Sequence, residues 1–191
     1  MNKSRRIIVG IALAATGAVA VGLAVSVPAA SAQPAAAQPA AAAQHHGGPF
    51  GEAANKALLL RFLEDVLNEH NGNHAASYFT KDGQFHAGTV GTVTGRDNVG
   101  GLLTGVVTAI PDLHASLQDI RADGDEVLVR LVVTGTLRGP LLGLPGNGRP
   151  VRWDAIDLYR IEHGKISQEW AAEDFTAILN DSGVYKAPWI P

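Results

Sequence analysis

Val151-Arg152-Trp153-Asp154-Ala155-Ile156-Asp157-Leu158-Tyr159-Arg160-Ile161 and, after Glu162-His163-Gly164-Lys165, Ile166-Ser167-Gln168-Glu169-Trp170-Ala171-Ala172-Glu173 form the stretch that decides the fold. Both runs are rich in β-branched and aromatic residues, and His163-Gly164 is a tight-turn dipeptide, so they read as two long antiparallel strands in a hairpin. Ala115 to Arg121 and Val127 to Leu137 have the same character and are joined at Asp123-Gly124. Four long strands in the second half make a continuous antiparallel sheet, closed off by a short helix over Phe175 to Leu179.

The first half has a different period. From Glu52 to His70, Leu58, Leu59, Phe62, Leu63, Val66 and Leu67 gather on one side of a 3.6-residue helix. Asn71-Gly72-Asn73 stops that helix, His74 to Phe79 allows one or two further helical turns, and Lys81-Asp82-Gly83 turns the chain. A third helix is expected over Arg96 to Ala109, ended by Pro111; Gly100, Gly101 and Gly105 weaken it but permit close packing. Helices followed by an antiparallel sheet define an α+β domain with the helices over one face of the sheet.

The N-terminus is read as an export signal. Lys3, Arg5 and Arg6 precede an uncharged run from Ile7 to Val27, and Ala30-Ser31-Ala32 offers the small residues of a cleavage site, so 1–32 is expected to be removed. Ser4-Arg5-Arg6 is compatible with the twin-arginine route as well as the general one. Membrane attachment is expected only if this segment stays uncleaved. Residues 33–51, composed of Ala, Pro, Gln and Gly around His45-His46, read as a disordered tether; 52–185 is the domain and 186–191 a C-terminal tail.

Without 1–32 the chain keeps 12 basic and 18 acidic residues, a net charge of -6 with His neutral, which argues against a nucleic-acid partner. Cysteine is absent, so apolar burial alone must hold an exported domain of this size together. No His, Asp and Glu spacing suits a metal, no glycine loop suits a phosphate, and no Ser or Cys nucleophile is set up. No cofactor is expected.

Five blocks in order carry a resemblance: Asn55-Lys56-Ala57-Leu58 with Phe62-Leu63-Glu64 and Asn68-Glu69; Pro111-Asp112-Leu113; Gly143-Leu144-Pro145 with Gly148-Arg149; Ile156 to Ile161; and Gly164-Lys165-Ile166. Over about Asn55 to Gly183 the chain resembles the SnoaL-like polyketide cyclases, or ester cyclases, of the nuclear-transport-factor-2-like superfamily. The resemblance implies a cone-shaped barrel of a curved antiparallel sheet, N-terminal helices packed over its concave face, an apolar pocket and, often, a homodimer through the sheet. It also implies a small apolar ligand, and in the cyclases an intramolecular aldol closure driven by an acidic residue. The family's usual base position falls on Ala171, the histidine of the preceding strand on Asp157, and the histidine before the tryptophan on Glu169.

Those substitutions make Asp157 and Glu169 the candidate catalytic pair, provided that they share a face. A three-residue loop at His163-Gly164-Lys165, with a bulge, pairs Glu162 with Ile166 and puts Tyr159 opposite Glu169 and Asp157 opposite Ala171. A two-residue turn instead puts Asp157 opposite Trp170, with the acids on opposite faces. In the first register a low-dielectric pocket would push the two acids apart in pKa, as acid/base work requires. Otherwise Asp157 pairs with Arg152 or Arg160 and Glu169 faces water. His86, Phe85, Trp153, Tyr159 and Trp170 are the candidate ligand-binding residues; Asp174 is expected to cap the last helix. Cofactor-free cyclase, isomerase or lyase chemistry on a carbonyl-bearing molecule, non-catalytic carriage of such a molecule, and a filled structural dimerisation domain are the three functions this reading allows.

Overall fold

The computed structural model describes residues 51–88 and 91–190. The expected signal, the tether before Gly51 and His45-His46 lie outside the described residues. Helix α1 (Glu52–Phe62) runs into a π-helical segment (Leu63–Asn68), and the wider turn brings Glu69 N–H to Glu64 O and Asn71 N–H to Asp65 O. That widening aims Asn68 at the sheet, where its Oδ1 accepts from Ala115 N–H at 2.8 Å. Leu58, Leu59, Phe62, Leu63 and Val66 are buried, as their helical spacing requires.

A 3₁₀ turn (Gly72–His74) and α2 (Ala75–Tyr78) lead into β1 (Phe79–Ala87), β2 (Gly91–Thr94) and α3 (Arg96–Ala109). β3 (His114–Asp123), β4 (Glu126–Leu137), β5 (Arg149–Glu162), β6 (Lys165–Glu173) and α4 (Phe175–Asp181) follow. In α3 only Gly100 serves close packing: a Cβ there would sit 2.9 Å from Ala76 Cβ, whereas Gly101 and Gly105 face open space.

The α+β class holds, with two corrections to the sheet. Among the described residues it has six strands in the order β2-β1-β6-β5-β4-β3, and it is not antiparallel throughout, because β1 runs parallel to β6. Lys81-Asp82-Gly83 does not turn the chain; it lies inside β1, where the register against β6 shifts between Phe79 and Gln84. Gly83 fits closely there: a Cβ would sit 3.1 Å from Phe79 Cβ and its ring. The open edges are β2 and β3, so the sheet curves without closing into a barrel.

The hairpin of β5 and β6 takes neither expected register as drawn. The turn has two residues, His163 at φ 52° and Gly164 at φ 72°, and pairs Glu162 with Lys165 rather than with Ile166. Ile161 then pairs with Ile166 but Arg160 with Gln168, leaving Ser167 as a bulge whose hydroxyl donates to Arg160 O at 3.2 Å. Beyond it Tyr159 faces Glu169, Asp157 faces Ala171 and Ala155 faces Glu173. The bulge, not the loop, places both acids on one face.

Candidate functional site

Along β5 burial alternates strictly: Val151, Trp153, Ala155, Asp157, Tyr159 and Ile161 are buried, while Arg152, Asp154 and Ile156 are exposed. On β6 Glu169 and Ala171 are buried on the same side and Glu173 half-buried beyond them. Period 2 therefore delivers three carboxyl groups and two aromatic side chains to one concave surface. α1, α3 and α4 cover it with Phe62, Leu103, Val106 and Ile178, leaving a cavity of about 100 Å³ with Leu141 and the half-exposed Leu142 also in its wall. This cavity counts against the filled-domain reading.

Asp157 and Glu169 are 3% and 4% exposed, and each leaves one buried oxygen, Asp157 Oδ1 and Glu169 Oε2, without a hydrogen-bond partner. Neither Arg152 nor Arg160 reaches Asp157: Arg152 bonds Asp154 and Arg160 bonds Glu126. Glu169 Oε1 accepts from the Tyr159 hydroxyl at 3.1 Å, and the Tyr159 ring meets Phe62 edge-on at 6.1 Å. Glu173 Oε2 accepts from the Trp153 indole N–H.

Among the described residues the cavity lining contains no Lys, Arg or His, so none of them offsets the negative charge of three carboxylates. Burial, then the neighbouring Glu173, raise Asp157 well above the usual carboxylate range, against the Ala172 N–H. Burial and Asp157 raise Glu169 likewise, against the Tyr159 hydrogen bond. Glu173 is pushed up to about 7 by burial, with the Trp153 donor opposing. Burial and the adjacent Glu169 push the Tyr159 hydroxyl well up, so it stays a donor.

Of the candidate ligand-binding residues, Phe85, Trp153 and Tyr159 line the cavity with Asp157 and Glu169. His86 and Trp170 do not. Each lies one residue from an inward-facing neighbour, Phe85 and Glu169, and so emerges on the opposite face of the sheet. There their rings stack at 5.5 Å and 15°, Arg160 lies 5.4 Å from the Trp170 ring centre, and Thr92 Oγ1 is 3.0 Å from His86 Nδ1. Asp174 caps α4, accepting from Ala177 N–H at 3.1 Å. Glu173 is the site residue that sequence reasoning missed; its signal was the alternation Glu169, Ala171, Glu173. Among the described residues no group of three His, Cys, Asp or Glu is placed to hold a metal ion, and no helix is long and apolar enough to cross a membrane.

The SnoaL-like polyketide cyclase family model matches residues 57–182, and the chain belongs to that family. Solved structures agree on the fold. AclR from Streptomyces galilaeus is similar at 24% identity and a TM-score of 0.63, over 71% of this chain and 100% of that one. A SnoaL-like polyketide cyclase from Agrobacterium tumefaciens gives 24% and 0.56, over 66% and 95%. A protein with a ketosteroid isomerase-like fold from Catenulispora acidiphila, in complex with trimethylamine, gives 21% and 0.57, over 70% and 97%. No curated protein gives a match. Family and fold make this a small-molecule-binding, cyclase-like protein.

Proposed function

We propose that this is an exported SnoaL-like protein that binds a small, mostly apolar, carbonyl-bearing molecule and performs cofactor-free acid/base chemistry on it, using the carboxyls of the β5–β6 hairpin, Asp157 and Glu169 foremost. One observation carries the reading: two carboxyl oxygens, Asp157 Oδ1 and Glu169 Oε2, are buried without partners in the wall of a mostly apolar cavity. Leaving such groups unmade costs about 1–3 kcal/mol each, a cost that a polar group on a bound ligand removes. A protonated carboxyl donates to a carbonyl oxygen, and a carboxylate takes a proton from the carbon beside it. Asp157→Asn tests the activity: turnover of the identified ligand should fall at least about 100-fold, and unchanged turnover would refute a chemical role for Asp157.

Ala171 favours a second reading, a carrier of the same fold. The family's base position holds a methyl group, which accepts no proton. Native mass spectrometry of protein from its own host separates the two, since a carrier retains an unaltered ligand. Export predicts a mature chain beginning at Gln33, read by N-terminal sequencing of the extracytoplasmic fraction. A homodimer through the sheet is supported by Ile156, which stands half-exposed on the face opposite the cavity; sedimentation equilibrium, with and without Ile156→Glu, reads it.

A further inference from the structure

We infer that Glu173 is the base that takes a proton from carbon in this site, and that Asp157 and Glu169 serve the substrate as hydrogen-bond donors to its carbonyl oxygen. This rests on the acid/base reading above and sharpens it, dividing three acids into one base and two donors.

Position comes first. On the concave face the acids follow a zigzag: Glu169 beside Tyr159, Asp157 over Ala171, Glu173 beside Ala155. Asp157 is thus the middle member, diagonal to both glutamates and directly opposite the small side chain of Ala171. A carbonyl oxygen held by the orphaned Asp157 Oδ1 and Glu169 Oε2 leaves Glu173, the other diagonal neighbour of Asp157, as the acid available to the adjoining carbon. Glu173 is half-buried where the other two are sealed, so its proton exchanges with water most readily.

Charge decides the rest. With no cation in the lining, the three carboxyls cannot ionise together without mutual repulsion in a low-dielectric space. The first ionisation falls to the least buried member, which also has the Trp153 indole N–H to stabilise its carboxylate. Asp157 and Glu169, each raised by burial and by a neighbouring acid, keep their protons and become donors in search of an acceptor.

The step balances without any co-reactant. The Glu173 carboxylate takes the α-proton, the C–H electron pair becomes the C=C bond of an enolate, and the carbonyl π pair moves to oxygen under the Asp157 and Glu169 hydrogen bonds. Return of the proton to another carbon completes an isomerisation. Attack of the α-carbon on a second carbonyl of the same molecule, with the Glu173 proton going to the new alkoxide, completes a cyclisation.

Nitrobenzisoxazole tests this without knowledge of the natural ligand. A base removes its ring C–H proton, that electron pair forms a nitrile as the N–O bond breaks, and a coloured cyanophenolate leaves. The full chain should accelerate the reaction with a rate that rises through a midpoint near 7, the value to which Glu173 is raised. Glu173→Gln should lose at least about 100-fold, Glu173→Asp should keep part of the rate, and Asp157→Asn and Glu169→Gln, which alter donors and not the base, should slow the reaction less while its rate still rises with pH through one midpoint. Trp153→Phe should move the midpoint upward, a shift that a merely structural role for the indole would not produce. If Glu173→Gln keeps its rate while Asp157→Asn or Glu169→Gln abolishes it, the base assignment is overturned and the broader acid/base reading survives. If the wild type binds the probe by equilibrium dialysis but never accelerates it, both are overturned and the carrier remains.

Discussion

Tyr159 and Glu169 face each other across the β5–β6 ladder with both side chains buried, and the phenol donates to Glu169 Oε1 at 3.1 Å. The pair ties the acid cluster to the core, because the Tyr159 ring packs edge-on against Phe62 of α1. Removing the hydroxyl leaves Glu169 with no partner on either oxygen. Tyr159→Phe should therefore lower stability by about 1 kcal/mol, measured by urea unfolding. It should also raise the Glu169 pKa further, followed by carboxyl-carbon NMR, since the hydrogen bond opposes the rise.

Stability should fall as pH rises through neutrality. Asp157, Glu169 and Glu173 all have folded-state pKa values raised above their ordinary ones, so each favours the folded state fully below its unfolded pKa. That contribution is lost as pH climbs from the ordinary carboxylate range through the folded value, about 7 for Glu173. Each proton released adds a slope of about 1.4 kcal/mol per pH unit. Thermal melts from pH 5 to 8 should show a falling Tm, and Glu173→Gln should flatten the curve. Asp112, held below its ordinary value by the Thr136 hydroxyl and N–H, acts oppositely and weakens the fold only below about pH 4.

Restoring an acid at the family's base position should be costly here. Ala171 is buried directly opposite Asp157 and between Glu169 and Glu173 along the face. Ala171→Asp adds a fourth carboxyl to a cavity without a cation and should destabilise by about 3 kcal/mol or more at pH 8, and by less at pH 5. Denaturant midpoints at the two pH values check it; equal losses would mean that steric crowding, not charge, is the cause.

Two of the glycines of α3 should separate cleanly. Gly101 is exposed and faces open space, so Gly101→Ala should gain up to about 1 kcal/mol from helix propensity. Gly100→Ala would drive its methyl to within 2.9 Å of Ala76 Cβ and 3.1 Å of Ala76 N, and should cost about 1–3 kcal/mol. Urea unfolding of the two variants reads the difference in sign.

Trp170 offers a control for the site. It belongs to the Arg160, Trp170 and His86 stack on the outer face, so Trp170→Ala should lower stability by about 1–2 kcal/mol while leaving ligand retention unchanged. Native mass spectrometry beside a thermal melt distinguishes this from a residue of the cavity wall.

The amino-acid sequence by itself determined the elements whose signals are local. The apolar stripe from Leu58 to Leu67 made the first helix, Arg96 to Ala109 the third, and the β-branched runs with Asp123-Gly124 and His163-Gly164 the four strands from β3 to β6. The site was legible to the same depth: Asp157, Glu169, Tyr159, Trp153 and Phe85 could be named, since a mid-strand acid among aromatics is costly without a task. β1 was not legible, because Lys81-Asp82-Gly83 carries a turn signal; in the fold those residues form the irregular stretch of β1 between Phe79, which pairs with Ile166, and Gln84, which pairs with Gln168. The parallel pairing sets His86 beside Trp170, and alternation along both strands turns the two outward. Nor could local sequence show Ser167 leaving the ladder, a displacement of one residue that decides which face every later side chain of β6 occupies. Period and composition are properties of neighbours along the chain, whereas register and pocket are set by which distant backbones exchange hydrogen bonds and which side chains that exchange buries; tertiary structure alone brought Glu173 to Asp157 and left Glu169 Oε2 without a partner.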